Sequence, residues 1–487
     1  MKHTRLIGIT LLTALLTSCG GGAATPDADP GKETGNTTNA ESTSPLDALP
    51  DADFGGVDFN IFGEYQSTLS DYFDVEEQTG EAIDDAVWKR NRAVEEKYKV
   101  NLVFTLQEWG HKLALNTIKE LTLAGDDTYD LITATHQWLG AIIADNYLVD
   151  WKTVPNVNLD ADWYVKKANE TFSIGSNTPL LFGDFMESNI LRCWNYVFNK
   201  NLADECGLED IYTVVDEGRW TVDYLRGAIK NLWRDLNGDT KPDEGDFYGL
   251  ATDNLGCLDA YSRSLGLNAI TKDKDNLPVL SYYSERVPVA FDKIYELMWN
   301  NPGTYVYTNS LAHINDMFAE KRAVFAAFRI DQLMNAEMRD MTDDYGVIPY
   351  PKLDEATEGY GTYLSGTFSA QMISVCKPES EHAKIGMITE ALNAYSREYV
   401  IPAIYEVTLK TKTSRDERSV EMLDLILDSR EYSFDSCDES DFPLSPRCTI
   451  RDLIGGKKSK DIASYYAANE AKAEEWVQTM IDAYQNK

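Results

Sequence analysis

Asp235, Asn237, Asp239, Asp243 and Asp246 occupy positions 1, 3, 5, 9 and 12 of one short stretch. That spacing lets side-chain oxygens wrap a calcium ion. Thr240 stands where such loops turn on glycine, and the last ligand is Asp rather than a bidentate Glu. An exposed acidic loop is therefore the competing reading, and any ion here would be structural. Spacings that carry catalysis are missing: there is no HExxH, no GxSxG and no P-loop. Five histidines leave little material for a catalytic metal. With 80 acidic residues, carboxylate pairs arise by chance and do not argue for glycoside hydrolysis. Cys193, Cys206, Cys257, Cys376, Cys437 and Cys448 form no CxxC pair, so a zinc ribbon or dithiol site has no support. Cys437 and Cys448 could close a short loop across Pro443 and Pro446, or all six could stay free thiols.

Composition bounds the partners. The chain has 487 residues, which at roughly 150 per domain means two or three domains. Its formal net charge of -35 repels phosphate backbones, so nucleic acid is excluded as a natural partner. Trp, Tyr and Phe number 10, 27 and 17. An acidic surface with many aromatics suits a neutral partner such as a sugar, although most aromatics in a globular protein are core.

The N-terminus carries its own chemistry. Lys2, His3 and Arg5 precede an apolar run over residues 6–16, too short to stay in a bilayer as a spanning helix. The run ends in Leu16-Thr17-Ser18-Cys19-Gly20, which resembles a bacterial lipobox. Residues 1–18 then read as a lipoprotein signal peptide and Cys19 as the lipidated first residue of the mature chain. Residues 19–52 are rich in Gly, Ala, Thr, Asn, Ser, Asp and Pro. Such a stretch buries too little surface to offset its ordering entropy, so it reads as a flexible tether. The expected location is the cell membrane, lipid-anchored, on the extracytoplasmic face.

The elements behind the tether alternate. Residues 57–62, 101–106 and 129–134 read as strands, and 80–98, 110–124 and 138–146 as helices. Such alternation means βαβ units and a parallel sheet, with ligands at the carboxyl ends of the strands. Glu64-Tyr65 and Thr135-His136-Gln137-Trp138 follow two of those ends. Further strands are expected at 180–182, 192–198, 323–328 and 345–348. Helices are expected after Trp220, with Thr221 as the cap, and at 283–299, 310–319, 379–406, 417–428 and 461–485. No internal repeat is present.

Five segments in order resemble the extracellular solute-binding proteins of ABC importers, the carbohydrate-binding group that includes maltose-binding protein. They are Tyr129-Asp130-Leu131-Ile132 with Tyr147-Leu148-Val149-Asp150; Val197-Phe198-Asn199-Lys200-Asn201-Leu202 with Cys206-Gly207-Leu208; Asp235-Leu236-Asn237-Gly238-Asp239 closing at Tyr248-Gly249-Leu250; Met317-Phe318-Ala319-Glu320-Lys321; and Tyr345-Gly346-Val347-Ile348-Pro349. Trp220-Thr221 fits a sixth, with the family's order of the two residues swapped.

The resemblance implies an α/β, two-lobe periplasmic-binding-protein-like fold with a hinge and an interlobe ligand cleft. Lobe one would be 53–182 plus 349–395, and lobe two 183–348 plus 396–487. It implies a monomer that captures a small carbohydrate by hinge closure, breaks no bond, requires no cofactor and delivers its ligand to ABC permease subunits. Sugar binding needs flat apolar faces and a few fixed polar groups. Trp138 and Trp194 are the stacking candidates, ahead of Trp109, Trp163 and Tyr164. Glu64, His136, Glu187, Asn189, Arg329 and Asp331 are candidate hydroxyl partners, with an ion pair as the plain alternative for the last two. Tyr363, Ser365, Gly366 and Thr367 would face the cleft from lobe one. The rival readings are a peptide or other solute, a surface glycosidase, and a helical-repeat starch-utilisation lipoprotein, which the βα alternation disfavours.

Overall fold

The computed structural model describes residues 45–65, 72–308, 312–410 and 417–485. Cys19, the leader and most of the tether lie outside them. Among the described residues the strands are β1 (Val57–Tyr65), β2 (Val100–Glu108), β3 (Leu131–Thr135), β4 (Trp194–Asn199), β5 (Tyr248–Asp253), β6 (Ile270–Lys272), β7 (Pro278–Leu280), β8 (Thr304–Tyr307), β9 (Ala323–Arg329), β10 (Tyr345–Ile348), β11 (Thr362–Tyr363), β12 (Ser369–Met372) and β13 (Arg430–Glu431). No described helix is long and apolar enough to cross a membrane.

Two sheets organise the molecule. The first has the order β12-β3-β1-β2, with β1 parallel to both β2 and β3 and β12 antiparallel to β3. The second has the order β10-β4-β9-β5-β8, with β5 parallel to β8 and β9, and β4 antiparallel to β9 and β10. Helix α1 (Ala82–Tyr98) connects β1 to β2 and buries Ile83, Val87, Val94 and Tyr98, a stripe at helical spacing. Helix α2 (Leu113–Ala124) connects β2 to β3 and stops at Gly125. That glycine has φ +69°, and its N–H donates to Leu121 O and Thr122 O. In lobe two, the Thr221 hydroxyl accepts from Tyr224 N–H and starts the next helix as the sequence predicts.

One expectation needs correction. Residues 180–182 form no ladder strand: Leu181 makes a single antiparallel bridge to Gln371. The neighbouring groups pair elsewhere: Phe182 N–H donates to Asn169 Oδ1, its carbonyl accepts from Val165 N–H, and Gly183 bridges to Tyr164. The helix expected at 379–406 is present and runs on to Lys410, its α-helical pattern interrupted only by a π turn at Ser396–Val400. Of the two readings left open for Cys437 and Cys448, the structure shows the free thiols, as for all six described cysteines.

The chain passes between the sheets at residues 182–194, at 349–368 and through the interrupted helix. Buried polar groups tie these passages together. Asn393 Oδ1 accepts from Phe185 N–H at 3.0 Å and from Gln371 Nε2 at 3.1 Å. Its Nδ2 donates to Gln371 Oε1 at 2.9 Å. The approach is so close that a Cβ on Gly183 would lie 2.2 Å from Asn393 Oδ1. Beside this knot Arg90 donates to Glu187 at 2.9 Å, both side chains fully buried. Arg90 also donates to the carbonyls of Tyr72 and Phe73 and contacts Ser396 Oγ.

Removing one member of a buried ion pair strands the other charge in a low-dielectric interior, at about 3–5 kcal/mol. Glu187→Ala is expected to lower stability by about that amount in urea denaturation. An unchanged midpoint and slope would mean that the pair does not hold the passage.

Candidate functional site

The carboxyl ends of the first sheet bring four groups together. Glu64, at the end of β1, turns its Oε2 to Thr135 at the end of β3 and accepts from that residue's N–H at 2.7 Å and hydroxyl at 2.8 Å. Trp138 sits on the short turn His136–Trp138 directly after β3. Trp109, directly after β2, stacks on it with ring centroids 5.4 Å apart and planes 29° apart. His111 meets Trp138 from another side at 5.1 Å. Trp138 is buried and Trp109 half-buried, so Trp109 carries the outer face of the pair. Neither indole N–H has a partner among the described residues.

The corresponding ends of the second sheet carry charge. Trp194 and Arg329 are register partners on β4 and β9, and the guanidinium carbon lies 5.6 Å from the indole ring. Arg329 grips Asp331 with two hydrogen bonds, at 2.9 and 3.2 Å, and Arg192 adds a third contact at 3.3 Å. The two residues are thus the ion pair at a strand end that the sequence leaves open. Trp194 is capped by the helix Gly256–Asp259, where a Cβ on Gly256 would lie 2.6 Å from Trp194 Cζ2. Asp253, at the end of β5, accepts from Leu255 and Cys257 N–H through Oδ1. Its Oδ2 is buried without a partner among the described residues, and burial pushes the carboxyl up to about 6.

Between the two walls runs the loop after β11. Ser365 N–H donates to Arg192 O at 3.0 Å, which sets the loop against the charged wall. The hydroxyls of Ser365 and Thr367 are 3.1 Å apart. Tyr363 donates to Glu439 Oε1 at 3.2 Å.

Other candidates lie elsewhere. His136 is fully buried: Nδ1 lies 3.2 Å from Phe368 O and Nε2 lies 2.9 Å from Ser436 Oγ. Its ring packs among Phe172, Phe182 and Phe368, and desolvation pushes the imidazole down to about 3. Glu187 belongs to the buried pair with Arg90, and Asn189 is buried with its Nδ2 donating to Met186 O. Trp163 and Tyr164 belong to the core behind the first sheet, where the Tyr164 hydroxyl donates to Glu390 at 2.6 Å.

In the loop 235–246 the side chains serve the loop's own backbone. Asp235 accepts from Gly238 and Thr240 N–H, Asn237 from Asp239, Asp239 from Lys241, and Asp246 from Leu236. Asp243 accepts from Gly245 N–H and from Asn237 Nδ2. Among the described residues no three His, Cys, Asp or Glu side chains gather as metal ligands.

Sequence reasoning missed Arg192, Asp253 and Glu439, and it placed Gln137 at a strand end without choosing it as a candidate. Asp253 ends a strand that reads only as part of a family-like segment. Glu439 follows no periodic element, and only the fold brings it to the loop after β11.

No protein-family model matches the chain, and no curated protein does. Solved structures do. The GacH receptor of Streptomyces glaucescens, studied unliganded and with acarbose, aligns with a TM-score of 0.53 at 13% identity, over 88% of this chain and 98% of that one. An ABC substrate-binding protein of Listeria monocytogenes in complex with cycloalternan gives 0.53 at 13%, over 86% and 99%. The galacto-N-biose/lacto-N-biose I-binding protein of Bifidobacterium longum, in complex with lacto-N-biose, gives 0.59 at 10%, over 88% and 98%. At such identities the likeness shows the fold. The chain has the two-lobe, periplasmic-binding-protein-like architecture.

Burial of His136 has a direct spectroscopic consequence. Its ring Cε1 proton resonance is expected to show no titration step between pH 8 and pH 5. A step near the ordinary histidine value would place the imidazole in water, on the cleft surface.

Proposed function

We propose that this chain is the binding component of an ABC importer, capturing a carbohydrate between its lobes and handing it unaltered to a membrane permease. One observation carries the reading: near full-length structural likeness to binding proteins solved with acarbose, cycloalternan and lacto-N-biose. The walls supply chemistry that suits such a ligand. The Trp109–Trp138 pair offers a flat face to the C–H side of a pyranose, and the Arg329–Asp331–Arg192 set offers fixed donors and acceptors to hydroxyls. Hinge closure then converts ligand binding into a shape that the permease recognises.

Anchoring belongs to the same proposal. Lipidation of Cys19 would hold the body outside the membrane on the tether of residues 19–52, as a monomer. No cofactor enters the mechanism. The ATPase would be a separate chain, since this sequence has no P-loop.

Thermal denaturation across a panel of acarbose, cycloalternan, lacto-N-biose, linear oligosaccharides and short peptides tests the reading. A ligand at 100 times its dissociation constant stabilises the fold by about 2.7 kcal/mol. A sugar is expected to raise the melting temperature and to be recovered intact. A shift with peptides alone would make the solute a peptide. A sugar that is cleaved would make the chain a glycosidase.

A further inference from the structure

Residues 433–441 run between the two walls. On the lobe-two side Asp435 pairs with the Arg263 guanidinium and accepts from Ala269 N–H at 2.7 Å. On the lobe-one side Gly140 N–H donates to Cys437 O at 2.9 Å and Glu439 N–H donates to Gln137 O at 3.0 Å. This segment therefore brings the Glu439 carboxylate to the carboxyl end of β3, next to the loop after β11.

Glu439 is only 3% exposed. Among the described residues its one hydrogen-bond donor is the Tyr363 hydroxyl, on Oε1. Arg451, a cation that acts on it, spends its guanidinium on Asp259. An ionised carboxylate can accept about four hydrogen bonds, so most of this capacity is unspent. Gln137 is 5% exposed, and its Nε2 has no acceptor among the described residues. A buried acceptor and a buried donor, both unspent, thus spring from two backbone segments that are hydrogen-bonded to each other. Leaving such groups unpaired costs about 1–3 kcal/mol each, more for a charge. The Gly366 backbone packs closely against this carboxylate, since a Cβ there would lie 2.0 Å from Glu439 Oε1.

We propose that Glu439 and Gln137 form a subsite that binds a sugar hydroxyl pair, one hydroxyl donating to the carboxylate and the other accepting from the amide. A hydroxyl both donates and accepts, so neighbouring ring hydroxyls match this pairing. The subsite rests on the carbohydrate reading above and extends it to residues from the C-terminal segment. It also makes capture depend on pH. Burial lifts the Glu439 carboxyl to about 7, Arg451 and Arg447 draw it down, Asp259 raises it, and the Tyr363 hydroxyl favours the charged form. Only the ionised carboxylate accepts freely from hydroxyls, so affinity should fall as the pH drops below about 7.

The test titrates the purified chain with the panel sugar that shifts it most, from pH 8.0 to pH 5.5. Glu439→Gln is expected to weaken binding roughly 10- to 100-fold at pH 8 and to flatten the pH profile. Gln137→Ala should weaken binding and keep the profile, and it stands as the second reading should Glu439→Gln fail to fold. Wild-type affinity and pH profile in both variants would overturn the subsite and leave the carbohydrate reading intact. A wild-type chain that binds no sugar would overturn both.

Discussion

A small buried polar knot ties together the passages between the two sheets. Asn393 accepts from the backbone of the first passage and exchanges two hydrogen bonds with Gln371 on β12. Arg90 and Glu187 lock the same passage onto α1 and reach the π turn at Ser396. In a low-dielectric interior each of these bonds is strong, and each broken one leaves an unpaired group, so the knot holds or fails as a unit. The π turn at Ser396–Val400 lies beside the knot, with Ser396 Oγ against Arg90.

The walls divide the chemistry between them. The first sheet ends in aromatic faces, with Trp109 stacked outside Trp138. The second ends in Arg192, Arg329 and Asp331, fixed to one another and backed by Trp194. A ligand with flat apolar faces and a rim of hydroxyls satisfies both. Part of the negative charge lies elsewhere: carboxylates of loop 235–246 are spent on their own backbone amides. Net charge therefore says more about the surface than about the cleft.

Much of this was legible in the sequence, for a local reason. Residues 57–62, 101–106 and 129–134 alternate or run apolar, and 80–98 repeats at helical spacing, so the βα units of the first sheet follow from periodicity. Strand ends then point to Glu64 and Trp138. The same rule misplaces His136, one residue before Gln137, because which side of a short turn faces the core depends on Phe172, Phe182 and Phe368, none of them adjacent in sequence. β8 and β12 escaped notice because they are short and bordered by loops. Glu439 carries no local signal at all, since its place is set by Arg263 with Asp435 and by Gln137, from distant parts of the chain.

Small-angle X-ray scattering of the purified chain, with and without the sugar that stabilises it, tests most directly whether capture works by closure about the knot. Closure predicts a smaller radius of gyration in the sugar-bound chain, with the change lost when the sugar is dialysed away. An identical radius at saturating sugar would contradict hinge closure as the means of capture.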